Sequence, residues 1–218
     1  MHNFKYVTRK QLSPVKNNLI SIINSVQDQL RDEFTFQFYF VGSVKCNMVT
    51  CDVGTNRGYD FDINIQVNDS SIGLTAKEIK TKIRLALDEV ALRFGYDNAE
   101  DSTRVITIKF KDRNNSRIIH SCDFAIVNDY TDDDGYEQQQ YIHFNKKKNR
   151  YFWQEQPQGF YLLNEKVDWI KDNGYWPEVR TLYLDKKNHN SDHHKHSRSI
   201  CAETIHEICQ KYGYYDYQ

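Results

Sequence analysis

The sequence predicts an α+β fold: a mixed β-sheet with helices on one face, followed by a small C-terminal helical subdomain. Three observations carry that expectation. "YDFDINIQV" (59–67) alternates polar and apolar residues with the period of a strand. Two long segments repeat apolar residues with the period of a helix. After Val127 the composition shifts, first to polar loops and then to helical patterning. The order helix, strand, strand, helix, strand, strand is that of helices laid over one sheet.

The first helix is expected to open at Ser13-Pro14, a cap followed by proline at the first helical position. It presents Val15, Leu19, Ile22, Ile23, Val26 and Leu30 on one side. In "FTFQFYFVGS" four phenylalanines alternate with Thr35, Gln37 and Tyr39, which predicts a strand ending at Gly42. After a loop comes the 59–67 strand. "TAKE" supplies a capping box from Thr75 and Glu78, and Ile79, Ile83, Leu87, Val90 and Phe94 form the apolar face, stopped by Gly95. "RVITIKFK" and "RIIHSCDFAIV" read as strands joined by "DRNNS". "NDYTDDDGYEQQQ" and "NKKKNR" lack packing periodicity and read as solvated loops. Helical segments follow in "GFYLLNEKVDWIKDNG", in "WPEVRTLYLDKKN" from Pro177, and in "SRSICAETIHEICQKYG". The expected division is an α/β core over 1–140 and a helical subdomain over 141–218 that closes a ligand cleft.

With 218 residues, the chain is long enough for one domain and a small companion. Its 29 basic and 30 acidic residues leave a formal charge of −1, which gives no whole-chain attraction to nucleic acid or membrane. "MHNFKYVTRKQL" lacks the apolar stretch of a signal peptide, and no run approaches the ~18 apolar residues of a membrane span. Cys46, Cys51, Cys122, Cys201 and Cys209 contain no C-x-x-C pair and read as reduced thiols in a cytoplasmic protein.

Asp60 and Asp62 pose the central problem. They share one strand face about 6.6 Å apart, where two carboxylates repel by roughly 2.5 kcal/mol at an effective dielectric near 20. Asp123 lies in another apolar strand, and an acid so placed is costly unless paired or metal-bound. An exposed face carries Asp and Asn harmlessly, so D-x-D alone does not decide. The preceding "VGS" adds weight, because Gly42 allows close backbone approach and Ser43 supplies a hydroxyl for phosphate. Magnesium or manganese, as two ions, is the simplest remedy for the repulsion.

The order "FVGS … DFDINI … CDFAIV" resembles the catalytic core of the DNA polymerase β-like nucleotidyltransferase superfamily. "RTLYLDKKN" with "HSRSICAETIHEI" is similar to the helical companion in the branch of oligoadenylate synthetases, cyclic-oligonucleotide synthases and polyadenylate polymerases. The resemblance implies that Gly42 and Ser43 grip nucleotide phosphates and that Asp60 and Asp62 ligate both ions. Asp123 would complete one ion's shell and take the proton of an incoming hydroxyl. Ser199 and either Lys186 or Lys187 would hold the triphosphate. The implied reaction moves a nucleoside monophosphate from an ATP-like donor to an unidentified hydroxyl acceptor. A catalytically silent regulator that binds nucleotide or a partner protein, and a metal-dependent phosphohydrolase, are the rival readings.

His189, His193, His194 and His196 read as a solvated loop near the nucleotide rather than a zinc site. His120 and His143 read as packed or surface residues. Tyr151, Phe152, Trp153, Phe160, Tyr161, Trp169, Tyr175 and Trp176 are assigned to the helical half, mostly as core, with one or two left to stack on a nucleobase.

Overall fold

The computed structural model describes residues 2–55, 58–68, 73–192 and 195–214. In chain order the elements begin with β1 (Phe4–Tyr6), α1 (Arg9–Leu30), β2 (Phe36–Val41), α2 (Gly42–Lys45), β3 (Thr50–Asp52), β4 (Tyr59–Val67) and α3 (Ala76–Arg93). They continue with β5 (Glu100–Asp101), β6 (Val105–Asp112), β7 (Arg117–Thr131), β8 (Glu137–Asn145) and β9 (Arg150–Glu155). The helices α4 (Gln158–Asp172), α5 (Trp176–His189) and α6 (Ser197–Lys211) complete the chain. Two compact units result. One comprises Val7–Cys51 and Thr55–Gln156; the other comprises Met1–Tyr6, Asp52–Gly54 and Pro157–Gln218.

The larger unit holds the sheet, in the order β2-β4-β7-β6-β5, with β8 paired to the far half of β7 and β9 paired to β8. Only the β4–β7 pairing is parallel; the others are antiparallel. Alternation along β4 sends Phe61, Ile63, Ile65 and Val67 into the core. Cys122, Phe124 and Ile126 of β7 and Ile106 and Ile108 of β6 join them. Against this face lie Leu19, Ile22, Ile23, Val26 and Leu30 of α1 and Ile79, Ile83, Leu87 and Val90 of α3. Each fully buried aliphatic side chain of this kind contributes about 1.5–3 kcal/mol.

Helix α3 starts at the expected capping box: Thr75 Oγ1 accepts from Glu78 N–H and the Glu78 carboxylate accepts from Thr75 N–H. Helix α1 differs from expectation. It starts at Arg9, capped by a Thr8/Gln11 box, and Pro14 lies inside it. The reciprocal box satisfies two otherwise orphaned N–H groups, so the helix nucleates one turn earlier than a Ser13 cap allows. Ser13 instead donates its hydroxyl to the Arg9 carbonyl at 2.8 Å.

A second correction concerns residues 128–155. The expected loops are strands: β7 runs to Thr131, β8 and β9 follow, and "NKKKNR" forms the turn between them. Polar residues mask the pattern because most of the hairpin's outer side is half-buried or exposed; Ile142, Tyr151 and Trp153 face the core, and on the outer side Tyr141 is buried. Tyr151, Phe152 and Trp153 therefore belong to the sheet, and helical structure begins only at Gln158. The hairpin also covers Lys80, which is 1% exposed. Its ammonium donates to the Ser102 carbonyl at 2.7 Å and pairs with Asp101 at 2.8 Å. The rings of Phe144 and Tyr151 lie about it at 6.0 and 5.8 Å.

In the smaller unit, Val179 and Tyr183 of α5 and Ile200, Ile205 and Ile208 of α6 are buried. Tyr175 stacks on Tyr212 with ring centroids 3.8 Å apart, and Arg180 lies over the Tyr6 ring. No described helix is long and apolar enough to cross a membrane.

Candidate active site

The face of the sheet opposite the helices carries the acids. Asp60, Asp62, Asn64 and Gln66 occupy it by alternation along β4. The parallel register sets Asp62 opposite Asp123 and Asp60 opposite Ser121, and partners across a ladder point the same way. All three carboxylates therefore stand on one face of two adjacent strands, which run ~4.8 Å apart. The β6 register adds Thr107 beside Asp123 and Lys109 beside Ser121.

Hydroxyls serve these acids. Ser121 donates to Asp60 Oδ1, and Thr107 donates to Asp123 Oδ1 at 2.5 Å. Lys109 is ion-paired with Glu100 at 2.7 Å. Burial, and with it the charge of Asp60, holds the Asp123 carboxyl above its ordinary 3.8, against the Thr107 hydrogen bond and the Lys109 charge. Beneath them the buried Cys122 thiol is pushed up by desolvation and then by the charges of Asp123, Asp62 and Asp60.

Two glycines let the backbone come this close. Val41 pairs with Asp62 at the end of β2, and Gly42 follows with φ +59°, opening the single-turn α2. A Cβ on Gly42 would stand 2.6 Å from Asp62 Oδ2. At Gly58, two residues before Asp60, a Cβ would stand 2.0 Å from the Ile119 carbonyl oxygen. Ser43 sits on α2, and its carbonyl accepts from Met48 N–H at 2.7 Å.

Among the described residues, no group of three or more His, Cys, Asp or Glu side chains is gathered to hold a metal ion. The donor set nevertheless suits one in kind. Three carboxylates offer the hard oxygens that magnesium and manganese prefer, and the burial that raises the Asp123 carboxyl makes its charged form costly without a partner.

The remaining predicted residues lie in the smaller unit. Lys186 pairs with Glu207 at 2.5 Å. Lys187 is buried, with its ammonium 4.0 Å from the Phe4 ring centroid and 5.5 Å from that of Tyr183. Ser199 is exposed in the first turn of α6, below the Lys195–Glu203 ion pair. His189 pairs with Asp185, and His196 is the N-cap of α6; His193 and His194 lie outside the described residues. His120 is buried, hydrogen-bonded to Tyr96 at 2.9 Å and stacked on Phe110.

Sequence reasoning missed Ser121, Thr107 and Gly58. Alternation back from Asp123 would have put Ser121 on the acid face. Gly58 and Thr107 depend on pairings sixty or sixteen residues distant in the chain, which no local pattern encodes.

No family model matches the chain, and no curated protein matches it. Solved structures do. The GTP-bound form of DncV from Vibrio cholerae is similar over 92% of this chain and 52% of its own, at 14% identity and a TM-score of 0.58. The STING-associated CdnE c-di-GMP synthase of Capnocytophaga granulosa is similar over 92% of this chain and 62% of its own, at 18% identity and a TM-score of 0.54. The CdnE cyclic dinucleotide synthase of Elizabethkingia meningoseptica, solved with GTP and Apcpp, is similar over 87% and 67%, at 16% identity and 0.50. The chain spans about half to two thirds of the length of these structures. Its architecture is therefore the nucleotidyltransferase fold, as the resemblance of its sequence implied.

Proposed function

We propose that the protein transfers a nucleoside monophosphate from a nucleoside triphosphate to a hydroxyl acceptor, releasing pyrophosphate, with magnesium or manganese bound at Asp60, Asp62 and Asp123. The observation that carries this reading is the register pairing Asp62, which lies beside Gly42, with Asp123, while Asp60 shares their face. Bound divalent ions would neutralise the phosphates and steady the leaving group.

The residues divide the remaining work. Asp123, set opposite Asp62 by the register, is placed to serve as the base that takes the acceptor's proton. The acceptor oxygen then bonds to the α-phosphorus as the bond to the β-phosphate oxygen breaks. Gly42 and Ser43 would hold phosphate at the turn. In the smaller unit Ser199 is exposed, Lys186 is ion-paired with Glu207, and Lys187 is held among rings. GTP and Apcpp in the compared structures support a triphosphate donor, and the thiol state of all five cysteines suits the cytoplasm.

Incubation with each labelled triphosphate and magnesium or manganese should yield pyrophosphate and a nucleotidyl adduct. Asp62→Asn and Asp123→Asn should each lower turnover by at least a hundredfold, in the range of lost charge stabilisation. Full activity in Asp62→Asn would sink the reading. Nucleotide binding without turnover in the unaltered chain would favour the silent regulator, and inorganic hydrolysis alone the phosphohydrolase.

A further inference from the structure

The β8–β9 hairpin carries a feature that the proposed reaction does not use. Its outer side continues the face that bears the acids. Val127 shares that face with Asp123, by alternation along β7, and pairs with Tyr141; His143 follows two residues on. Across the hairpin Tyr141 pairs with Gln154 and His143 with Phe152. The His143 and Phe152 rings stack with centroids 4.9 Å apart and planes 28° from parallel. Phe152 is 36% exposed, a large ring left at the surface. Nδ1 of His143 is buried without a hydrogen-bond partner. Beside them the Arg104 guanidinium lies over Tyr141 at 4.0 Å, bonded to Gln156 at 3.2 Å and, among the described residues, paired with no carboxylate.

The hairpin ends in Lys146, Lys147, Lys148 and Arg150, all exposed and none ion-paired among the described residues. Asn149, with φ +48°, and the Asn145 side chain, which accepts from Lys148 N–H at 3.1 Å, shape this turn. The opposite end of β8 is acidic, with Asp132, Asp133, Asp134 and Glu137. One end therefore attracts a polyanion and the other repels it, with stacking surfaces between.

We propose that this outer face binds single-stranded RNA. The basic turn would hold the phosphate backbone, and successive bases would stack on the Phe152–His143 pair and on the open side of the Arg104 guanidinium. Rings spaced along a strand and flanked by cations are the chemistry that holds unpaired bases without regard to sequence. A duplex has no free base faces to offer them. The exposed Gln154 amide on the same face can reach ribose 2′-hydroxyls, which favours RNA over DNA. The inference does not depend on the proposed turnover, because binding is read without it.

Fluorescence polarisation of the full chain with a short labelled single-stranded RNA, across a salt series, tests the proposal. Tight binding at low salt is expected, weaker for DNA of the same sequence and for duplex RNA. K146Q/K147Q/K148Q should reduce the magnitude of the slope of log affinity against log salt by about 2, at about 0.7 for each lost phosphate contact. Phe152→Ala should weaken binding about tenfold, the worth of one base–aromatic stack, with little change in slope. Absence of binding at low salt, an unchanged slope in the lysine variant, or equal affinity for DNA would overturn the proposal. So would polyglutamate competing as well as RNA, which would mark a surface for acidic proteins. If Phe152→Ala does not fold, the slope of the lysine variant alone decides.

Discussion

At Gly58 the backbone of β4 comes so close to β7 that a methyl group has nowhere to go; the atoms it would meet are the Ile118 and Ile119 carbonyls. Backbone cannot turn aside as a side chain can. Gly58→Ala should therefore push apart the start of the parallel pair, costing about 1–3 kcal/mol as overpacking does, and should misalign Asp60 with Ser121. A lower urea midpoint together with lost turnover is the expected result. Gly42→Ala meets the Asp62 side chain and adds the strain of a left-handed backbone at φ +59°, so it should cost activity together with about 1–2 kcal/mol of stability.

His120 sets an acid limit at the same scale. Burial among Tyr59, Phe61, Tyr96 and Phe110 lowers its pKa from 6.5 to about 4. The ring is neutral when folded, so the stability it contributes is complete above pH 6.5 and is lost as the pH falls through about 4. That shift corresponds to roughly 3 kcal/mol at 1.36 kcal/mol per unit. His120→Phe should be less stable at pH 7, because Tyr96 loses its partner, yet should show an acid limb shallower by that amount in melts between pH 7 and 4.

Among the elements, α3 and the β5–β6 and β8–β9 strands meet at the Lys80 ammonium. Asp101 is ion-paired with Lys80 and accepts from the Tyr151 hydroxyl at 2.7 Å; burial and then Asp101 push Tyr151 up to about 12. Asp101→Leu would strand a buried cation, and breaking one partner of such a pair costs about 3–5 kcal/mol. Lys80→Met/Asp101→Leu should recover most of that loss. Denaturant midpoints of the two single variants and the double variant measure the coupling.

The contrast between elements also shows what sequence pattern can reveal. β4, α3 and the acid-bearing part of β7 were legible because each buries one continuous side, so their periods survive in the residues. β8 and β9 were not, because their packed residues, Ile142, Tyr151 and Trp153, are diluted by glutamines and glutamates. α1 was found but misplaced by its proline, since Thr8 and Gln11 form a cap only once both side chains turn back on the chain. For the site, Asp60, Asp62, Asp123 and Gly42 could be named from the sequence. Of their hydroxyl donors, Ser121 was open to the same alternation, but Thr107 was not, because a strand does not announce its neighbour.

For the molecule as a whole, binding to the folded state alone must raise stability. At a ligand concentration a hundred times Kd the gain is about 2.7 kcal/mol, or roughly 5–10 °C for a chain of this size. Magnesium with the preferred triphosphate should shift the melting transition of the unaltered protein by that order. Asp62→Asn and Asp123→Asn should lose the part of the shift that requires the metal. An equal shift with and without magnesium would argue against carboxylate-bound ions.

The parallel pairing of β4 with β7 has a consequence in time. Asp60 and its hydroxyl donor are separated by 61 positions, and closing so long a span is slow because its entropy is lost before the contacts form. A chain emerging from the ribosome therefore carries two neighbouring aspartates long before it carries a third. Until the last central strand docks the three carboxylates cannot share one face, so any activity of the proposed site should arrive in one late step of maturation rather than by degrees.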